Sequence, residues 1–427
     1  MTRRACNLAL VRPPSVDSLA NSIRASGLPH QLRVEAARRS IANNDHENVS
    51  TYARDIYDDL LRPVINGTGV IIHTNLGRSP MNPDRTYPTS FRYSNLELDL
   101  AHGKRGSRDK RVGSQIAGYI GAESAIIVNN GAAAILLVLT ALAFDRNVLI
   151  SRGELVEIGG GFRIPEVLES AGAHLIEVGT TNKTRFRDYE NAAKDSNAVA
   201  ILKVHESNYR MIGFTENVPV EKLKTLGLPV IFDIGSGLLD DTVPWMGWPK
   251  PSWLKDEPGA RQTIQSGASI VTFSGDKLMG GPQAGIIAGK KDFVETCASH
   301  PLYRALRPGN LTLDALGETL FAYLDNRAGQ LPLWKMAKTS PEELRKRAEL
   351  MGVGRIVKLK SAIGGGSLPG QEIDSYGIAL KGDLTSELRR TEIPIIARMK
   401  GPDTVIDLRT VDAKDDAYLK SALCEFD

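Results

Sequence analysis

The sequence has few cysteines and no long apolar run. Its three cysteines, Cys6, Cys297 and Cys424, are far apart and odd in number, which suits reduced thiols better than a disulfide framework. The longest nearly unbroken apolar run, 132–144, is too short to cross a bilayer. The composition therefore argues against a disulfide-stabilised secreted domain and predicts no membrane span.

Common motifs for metals, nucleotides and export are also missing. The histidines and cysteines show neither HExxH nor CxxC spacing, so no metal site is predicted. No GxxxxGK[ST] is present and no GxGxxG follows a β-like run, which argues against the common nucleotide-binding loops. The Arg-rich start has no continuous apolar core before Pro13 and Pro14, so we expect no export and a cytoplasmic location.

The charge of the chain is nearly balanced, but it is unevenly distributed. A net charge of +3 is too small to mark the whole protein as a nucleic-acid binder. Positive charge is concentrated in residues 1–39, which contain seven arginines, and in residues 102–111. Either region could contact phosphate or form a solvated charged face, and the sequence leaves both possibilities open.

Hydrophobic patterning predicts three domains. Residues 1–62 have helically spaced apolar positions and are expected to form a small helical domain. In residues 63–307, short β-rich runs alternate with helical stretches, which predicts a large α/β domain with a mainly parallel, doubly wound sheet. Residues 308–427 are expected to form a smaller α/β domain.

Some elements can be predicted individually. Helices are expected over 311–326 and 341–351, and β-like runs over 376–380 and 405–408. The prolines within 79–94 predict a loop. The β-rich runs of the large domain are VIN, VIIHTN, AIIVNN, NVLISR, HLIEVG, AILKVH, PVIFDIGSG, SIVTFSGDK and AGIIAGK.

The sharpest local pattern is VTFSGDKLMGGPQAG, residues 271–285. A β-like run ends in a polar turn that carries Lys277 between glycines, which is how a Schiff-base lysine for pyridoxal phosphate is commonly presented. Ser274 is placed to hydrogen-bond the cofactor phosphate. A surface lysine is the alternative reading, and only the surrounding motifs favour the cofactor site.

Two earlier motifs support a pyridoxal-phosphate site. The run VIFDIGSG places Asp233 at the carboxyl end of a predicted strand, where a carboxylate can pair with the pyridinium nitrogen of the cofactor. The run AIIVNNGAAA leads from a strand into a helix through Asn130, Gly131 and Ala132, whose small side chains leave the helix N-terminus open to phosphate. Read alone, Asp233 could be a turn or capping residue.

Taken together, these motifs resemble the bacterial selenocysteine synthases, the L-seryl-tRNA(Sec) selenium transferase family. The resemblance extends over nearly the whole chain and includes long motifs that are more specific than a glycine pattern. The matching stretches are RPVINGTGVIIHTNLGR (62–78), SRGELVEIGG (151–160), EVGTTN (177–182), KVHESNY (203–209), SGDKLMGGPQAG (274–285) and GGGSLP (364–369).

The resemblance implies a fold type I pyridoxal-phosphate enzyme that assembles into dimers and a larger ring. It implies that Lys277 is the Schiff-base lysine and that Asp276 is a catalytic carboxylate. It also implies that Arg78, Arg304 and Arg307 bind selenophosphate, an oxyanion that suits arginine forks. The N-terminal domain is expected to bind seryl-tRNA(Sec).

The implied reaction removes the serine hydroxyl of seryl-tRNA(Sec) as water, which leaves aminoacrylyl-tRNA. Selenium from selenophosphate then adds at Cβ, which gives selenocysteyl-tRNA(Sec) and phosphate. Lys277 is expected to take the Cα proton, and either Lys277 or Asp276 could supply a proton to the hydroxyl. The sequence does not decide between these two groups.

Two other readings compete with this one. The first is a related pyridoxal-phosphate lyase that acts on a small amino acid or an amino-sugar acid, because the fold alone does not specify the substrate. The second is an RNA-binding or scaffold protein on a degenerate fold, which the intact Lys277, Asp233 and Ser274 argue against.

Overall fold

The computed structural model describes residues 14–82, 92–157, 161, 163–207, 209, 211–247, 249–364, 368 and 370–427. The chain divides into two compact units, Met1–Ile65 with Ser386–Ile395, and Asn66–Thr385 with Ile396–Asp427. The start of the basic N-terminus, most of the predicted loop 79–94 and part of the motif GGGSLP lie outside the described residues. The predicted division into 1–62, 63–307 and 308–427 remains a prediction.

The described residues of the N-terminal segment of this first unit form the α-helices α1 (Val16–Ser22), α2 (His30–Ala42) and α3 (Val49–Asp58), in agreement with the predicted helical N-terminus. Ser15 caps α1 by accepting a hydrogen bond from the backbone of Ser18 at 3.1 Å. Gly27 adopts a φ of +74° before Pro29, which separates α1 from α2. The buried apolar residues of this unit are Leu19, Ala20, Ile23, Leu28, Ala36, Ala37, Val49, Ala53 and Ile56.

The remaining helices and the strands are numbered in chain order. The helices are α4 (Lys110–Ile120), α5 (Gly131–Ala143), α6 (Ile164–Ser170), α7 (Phe186–Asp195), α8 (Val220–Leu223), α9 (Ala260–Ser266), α10 (Lys291–Ser299), α11 (Pro301–Ala305), α12 (Asn310–Leu324), α13 (Pro332–Lys338), α14 (Pro341–Met351), α15 (Thr385–Leu388) and α16 (Asp416–Leu423). The strands are β1 (Ile65–Asn66), β2 (Val70–Ile72), β3 (Leu98–Asp99), β4 (Lys104–Arg105), β5 (Ser124–Val128), β6 (Asn147–Ser151), β7 (His174–Val178), β8 (Ala200–Val204), β9 (Val230–Gly235), β10 (Ile270–Ser274), β11 (Gly285–Gly289), β12 (Arg355–Gly364), β13 (Glu372–Lys381), β14 (Ile395–Ile396), β15 (Arg398–Lys400) and β16 (Asp403–Asp407).

The largest sheet has seven strands in the order β5-β11-β10-β9-β8-β6-β7. Its pairs are parallel except those of β11, which runs antiparallel to both of its neighbours. Most of these strands are buried on both faces, which explains why their sequences are continuous apolar runs without alternation. The mainly parallel sheet predicted from the sequence is confirmed, and the carboxyl ends of β8, β9 and β10 share one edge.

A second sheet has five strands in the order β15-β16-β13-β12-β2. The predicted runs 376–380 and 405–408 lie in β13 and β16. The run VIIHTN was expected in the large sheet, but β2 pairs in parallel with β12 instead, with Val70 opposite Ala362. A single apolar run carries no information about which sheet it joins, so this assignment was wrong.

A buried carboxylate links three neighbouring strands of the second sheet. Asp407 accepts hydrogen bonds from the hydroxyls of Ser361 at 2.8 Å and Ser375 at 2.5 Å, and all three side chains are fully buried. The backbone N–H of Arg409 also donates to Asp407 at 3.1 Å. These donors stabilise a charge that would otherwise be costly to bury.

The predicted C-terminal helices are confirmed as α12 and α14. At α14, Ser340 and Glu343 form a reciprocal capping box, and Gly352 ends the helix with a φ of +62°. Within the part of the chain that the structure describes, no helix is both long and apolar enough to cross a membrane.

Candidate active site

Asp233 lies at the edge formed by the carboxyl ends of the parallel strands. Its side chain is buried near the end of β9 and accepts a hydrogen bond from the Thr272 hydroxyl on β10 at 2.8 Å. Burial raises the pKa of Asp233, while the Thr272 hydrogen bond and the charge of Lys277 act in the opposite direction. A buried carboxylate beside a lysine is suited to pairing with a bound cation.

Lys277 lies in the turn between β10 and β11, and only 8% of it is exposed. Burial lowers the pKa of Lys277, and the charge of Arg78 lowers it further, whereas Asp233 and Asp276 raise it. A neutral amine is the form that attacks an aldehyde carbon. The site therefore brings together a buried lysine and the two carboxylates that sequence analysis selected.

Arg78 is bound to Asp276. The guanidinium Nη1 lies 2.7 Å from the carboxylate Oδ2, and the backbone N–H of Ser79 donates to the carbonyl of Asp276 at 3.1 Å. Arg78 has a φ of +63°, an unusual conformation for a residue with a side chain. These two contacts fix the segment after β2 against the lysine turn.

The N-terminus of α5 forms a cradle beside Ser274. Asn130 caps this helix by accepting a hydrogen bond from the backbone of Ala133 at 2.8 Å. A Cβ atom added at Gly131 would lie 2.6 Å from the hydroxyl oxygen of Ser274, so the serine hydroxyl directly faces the first turn of the helix. The free N–H groups of such a turn, at Gly131 and Ala132, bind phosphate well.

Arg304 and Arg307 are placed less directly. Arg304 is exposed on α11. Arg307 follows α11, with its guanidinium 5.3 Å from the ring centre of Tyr303 and a buried Nε that has no partner in the described chain. The backbone N–H of Asn129 donates to the carbonyl of Leu306 at 2.9 Å, so the end of α11 lies next to the turn before α5.

The three predicted arginines are therefore only partly brought together. Arg78 is beside Asp276, but in the described residues no hydrogen bond or ion pair joins Arg304 or Arg307 to Arg78, Asp276 or Lys277.

A second set of charged groups, which was not predicted from the sequence, lies at the same edge. His205 follows β8, and its backbone N–H donates to the backbone carbonyl of Asp233 at 2.9 Å. The imidazole Nε2 of His205 lies 3.2 Å from a carboxylate oxygen of the buried Glu257. Lys203 and the buried Glu154 form a nearby, partly buried ion pair at 2.7 Å. His205 and Lys203 belong to the motif KVHESNY, which could have indicated them, but Glu257 had no comparable signal.

These residues fit pyridoxal phosphate. The cradle at Gly131 and Ser274 suits a phosphate group, because any side chain at Gly131 would fill it. Asp233 provides a buried anion for a protonated ring nitrogen, and Lys277 provides the amine. No group of three or more metal-ligating side chains capable of holding an ion is found in the part of the chain that the structure describes.

Comparison with known proteins decides the family. A family model described as L-seryl-tRNA selenium transferase matches residues 64–412. The chain belongs to the L-seryl-tRNA selenium transferase family. The matched range contains every residue that sequence analysis assigned to the site, so the motif-based resemblance is confirmed.

Curated relatives support the same family. A protein of Alkaliphilus oremlandii named L-seryl-tRNA(Sec) selenium transferase is 40% identical, over 93% of this chain and 94% of its own. A relative of the same name from Geobacter sulfurreducens is 44% identical, over 86% of this chain and 83% of its own. The similarity to these selenium transferases therefore extends over most of both chains.

A solved structure supports the fold. The chain is similar to D-glucosaminate-6-phosphate ammonia-lyase with a TM-score of 0.60 and 21% identity, over 87% of this chain and 97% of that one. The predicted fold type I architecture is confirmed. Fold and family together make pyridoxal phosphate the cofactor of this selenium transferase family member.

Proposed function

We propose that this protein converts L-seryl-tRNA(Sec) to L-selenocysteyl-tRNA(Sec), with pyridoxal phosphate as cofactor and selenophosphate as selenium donor. The observation that carries the proposal is the buried pair of Lys277 and Asp233 at one sheet edge, in a chain of this family. The lyase alternative is not favoured, because the curated relatives at 40% and 44% identity are named selenium transferases.

The cofactor would be held at three points. Lys277 would bind its aldehyde carbon, Asp233 would pair with its ring nitrogen, and its phosphate would lie against Ser274 and the N–H groups of Gly131 and Ala132. Asn130 would shape this phosphate site by capping α5. When bound, pyridoxal phosphate supplies an electron sink for negative charge that develops at Cα of the seryl group.

The protein side chains would move the protons. Lys277 would accept the Cα proton as a neutral amine, because burial lowers its pKa and favours that form. The serine hydroxyl needs a proton to leave as water, and Lys277 or Asp276 would provide it. Arg78 holds the Asp276 carboxylate at 2.7 Å and so orients it.

Selenophosphate would be bound by arginines. Arg78 is at the site, and we propose that Arg304 and Arg307 complete the donor-binding set. The buried, unpartnered Nε of Arg307 supports this assignment, because such a donor in the described chain is available to an oxyanion. Arginine forks match the oxygens of a small, multiply charged anion.

The remaining assignments concern partners and location. We propose that the helical N-terminal region, residues 1–62, binds the tRNA and that the catalytic and C-terminal parts are 63–307 and 308–427. We also propose assembly into dimers and a larger ring, on the basis of family membership. A cytoplasmic location follows from the aminoacyl-tRNA substrate.

The proposal is tested by identifying the amino acid on the tRNA. Wild type and Lys277→Ala, each supplied with pyridoxal phosphate, are incubated with seryl-tRNA(Sec) and selenophosphate, or separately with free serine. Selenocysteine should be recovered from the tRNA with wild type alone. Unchanged seryl-tRNA together with consumption of free serine would instead establish the lyase activity.

A further inference from the structure

Backbone hydrogen bonds fix part of the turn that carries Lys277. The carbonyl of Lys277 accepts from the N–H of Gly280 at 2.9 Å, and the N–H of Leu278 donates to the carbonyl of Ser236 at 2.8 Å. The carbonyls of Leu278 and Met279 have no backbone partner among the described residues. Both residues are buried, so water does not readily replace such a partner.

Tyr323 on α12 contacts these two carbonyls. Its hydroxyl oxygen lies 2.9 Å from the carbonyl oxygen of Met279 and 3.5 Å from that of Leu278. The tyrosine is 2% exposed. The bond to Met279 therefore joins the buried face of α12 to the lysine turn, two residues from Lys277.

The carbonyl of Met279 can only accept, so the Tyr323 hydroxyl donates to it, and Trp334 donates to that hydroxyl in turn. The indole Nε1 of Trp334 lies 2.9 Å from the hydroxyl oxygen of Tyr323, and an indole N–H can only donate. The phenol hydrogen is therefore left for Met279. Burial raises the pKa of Tyr323, so the hydroxyl keeps this hydrogen over the working pH range.

Aromatic packing holds the tyrosine in place. The ring of Trp245 meets that of Tyr323 edge to face, with 4.9 Å between ring centres, and Trp334 packs against Trp245 at 5.3 Å. These rings leave the phenol little freedom to turn away from Met279.

We propose that Tyr323 is a positioning residue for Lys277, which acts through its hydrogen bond to the Met279 carbonyl. The inference rests on the proposed role of Lys277 in binding pyridoxal phosphate. The lysine must reach the cofactor carbon and later the Cα proton, and a displacement of about 1 Å can cost about a hundredfold in rate. A buried donor two residues away limits such displacement.

Two phenylalanine substitutions separate this role from simple stabilisation. Tyr323→Phe removes the bond to Met279 and retains the ring. Trp334→Phe removes the indole donor and leaves a cavity but retains the bond from Tyr323 to Met279. The rate at which pyridoxal phosphate becomes covalently bound to Lys277 is followed by absorbance after mixing it with each apoenzyme, and thermal unfolding is measured in parallel.

We expect Tyr323→Phe to slow covalent capture about tenfold and Trp334→Phe to change it less than twofold, although Trp334→Phe lowers the unfolding temperature more. Equal capture by all three proteins, or slower capture by Trp334→Phe, would overturn the inference. Failure of Tyr323→Phe to fold would also overturn it, because the bond would then serve the fold. A wild type that captures no cofactor would instead contradict the proposed function.

Discussion

Asp233 and Lys277 control each other's protonation, and this coupling can be measured. Burial lowers the pKa of Lys277, and the negative charge of Asp233 is the largest effect that raises it. The other charges that act on this amine are those of Asp276, Arg78 and Glu257. Removing the charge of Asp233 therefore leaves these three charges as the ones that act on the Lys277 amine.

Asp233→Asn should lower the pKa of Lys277 further, because it removes a charge that favours the ammonium form. The neutral amine then persists to lower pH, so the pH midpoint of covalent cofactor capture should shift downward. Conversion of seryl-tRNA should fall by about a hundredfold or more, because the ring nitrogen loses its anionic partner. Stopped-flow absorbance across pH measures the first effect and product analysis measures the second.

Thr272→Val provides the control for this prediction. It removes the hydrogen bond to Asp233 but retains the carboxylate, so the capture midpoint should stay closer to that of wild type. An upward shift with Asp233→Asn would contradict the assigned electrostatics.

Gly131 is predicted to be sensitive to any side chain. A Cβ atom there would approach the Ser274 hydroxyl to 2.6 Å, so Gly131→Ala should force that hydroxyl away from the phosphate position. We expect pyridoxal phosphate to bind about tenfold more weakly, as measured by equilibrium titration. Gly118→Ala, on the exposed face of α4, is the matched control because the described chain leaves open space there. Equal affinities of the two variants would contradict the cradle.

Sequence analysis identified the side chains at strand ends but not the groups that support them. Lys277, Asp233 and Ser274 each follow or end an apolar run, and this position is visible in the sequence. Glu257 reaches His205 from an irregular segment before α9, and a contact of this kind depends on tertiary packing. Arg304 and Arg307 were identified by resemblance alone, and the described contacts do not bring them to Arg78.

At the scale of elements, the second sheet is expected to depend on the buried side chains of Asp407, Ser361 and Ser375, called here the Asp407 cluster. Ser375→Ala on β13 removes a hydroxyl donor 2.5 Å from a fully buried carboxylate. We expect a loss of about 2 kcal/mol in the free energy of unfolding, because a buried charge loses one of its donors. Urea denaturation measures this change.

Ser114→Ala is a suitable comparison for the Asp407 cluster. Ser114 is exposed on α4 and donates only to a carbonyl of its own helix, so its substitution should change stability by less than about 0.5 kcal/mol. Similar losses for the two variants would show that the cluster is not specifically stabilising.

Helices and strands could be predicted where neighbouring residues in the sequence carry the pattern. The strands buried on both faces are apolar runs and were found, as was α14, whose bounds agree with the predicted 341–351. Strand β12 was missed because the exposed Lys358 and Lys360 interrupt its apolar residues, so that it contains no continuous apolar run. The pairing of β2 with β12 could not be read from the sequence, because parallel pairing joins distant segments.

At the scale of the whole molecule, tRNA binding and cofactor binding are proposed to use different parts of the chain, so a deletion should separate them. Deletion of residues 1–62 should abolish conversion of seryl-tRNA(Sec) and leave covalent cofactor capture within about twofold of wild type. The physical reason is that RNA binding uses basic side chains, whereas the cofactor site lies wholly within the second unit. Product analysis and absorbance on the same preparation measure the two activities.

A double substitution tests RNA binding by the same region without removing it. Arg24 and Arg38 are exposed in the first unit. Replacing both with Gln should raise the KM for seryl-tRNA and weaken its dependence on salt, with kcat nearly unchanged. Unaltered salt dependence would argue that the RNA is bound elsewhere.

The pairing of β2 with β12 has a consequence for synthesis on the ribosome. Val70 and Ile72 emerge early, but their partners Ala362 and Gly364 are translated much later. At about 5–20 residues per second, the segment that carries Arg78 waits tens of seconds for the strand beside it. The nascent chain can therefore form much of the large sheet before the Arg78 segment has its final support, which makes completion of the site a late event in the synthesis of the chain.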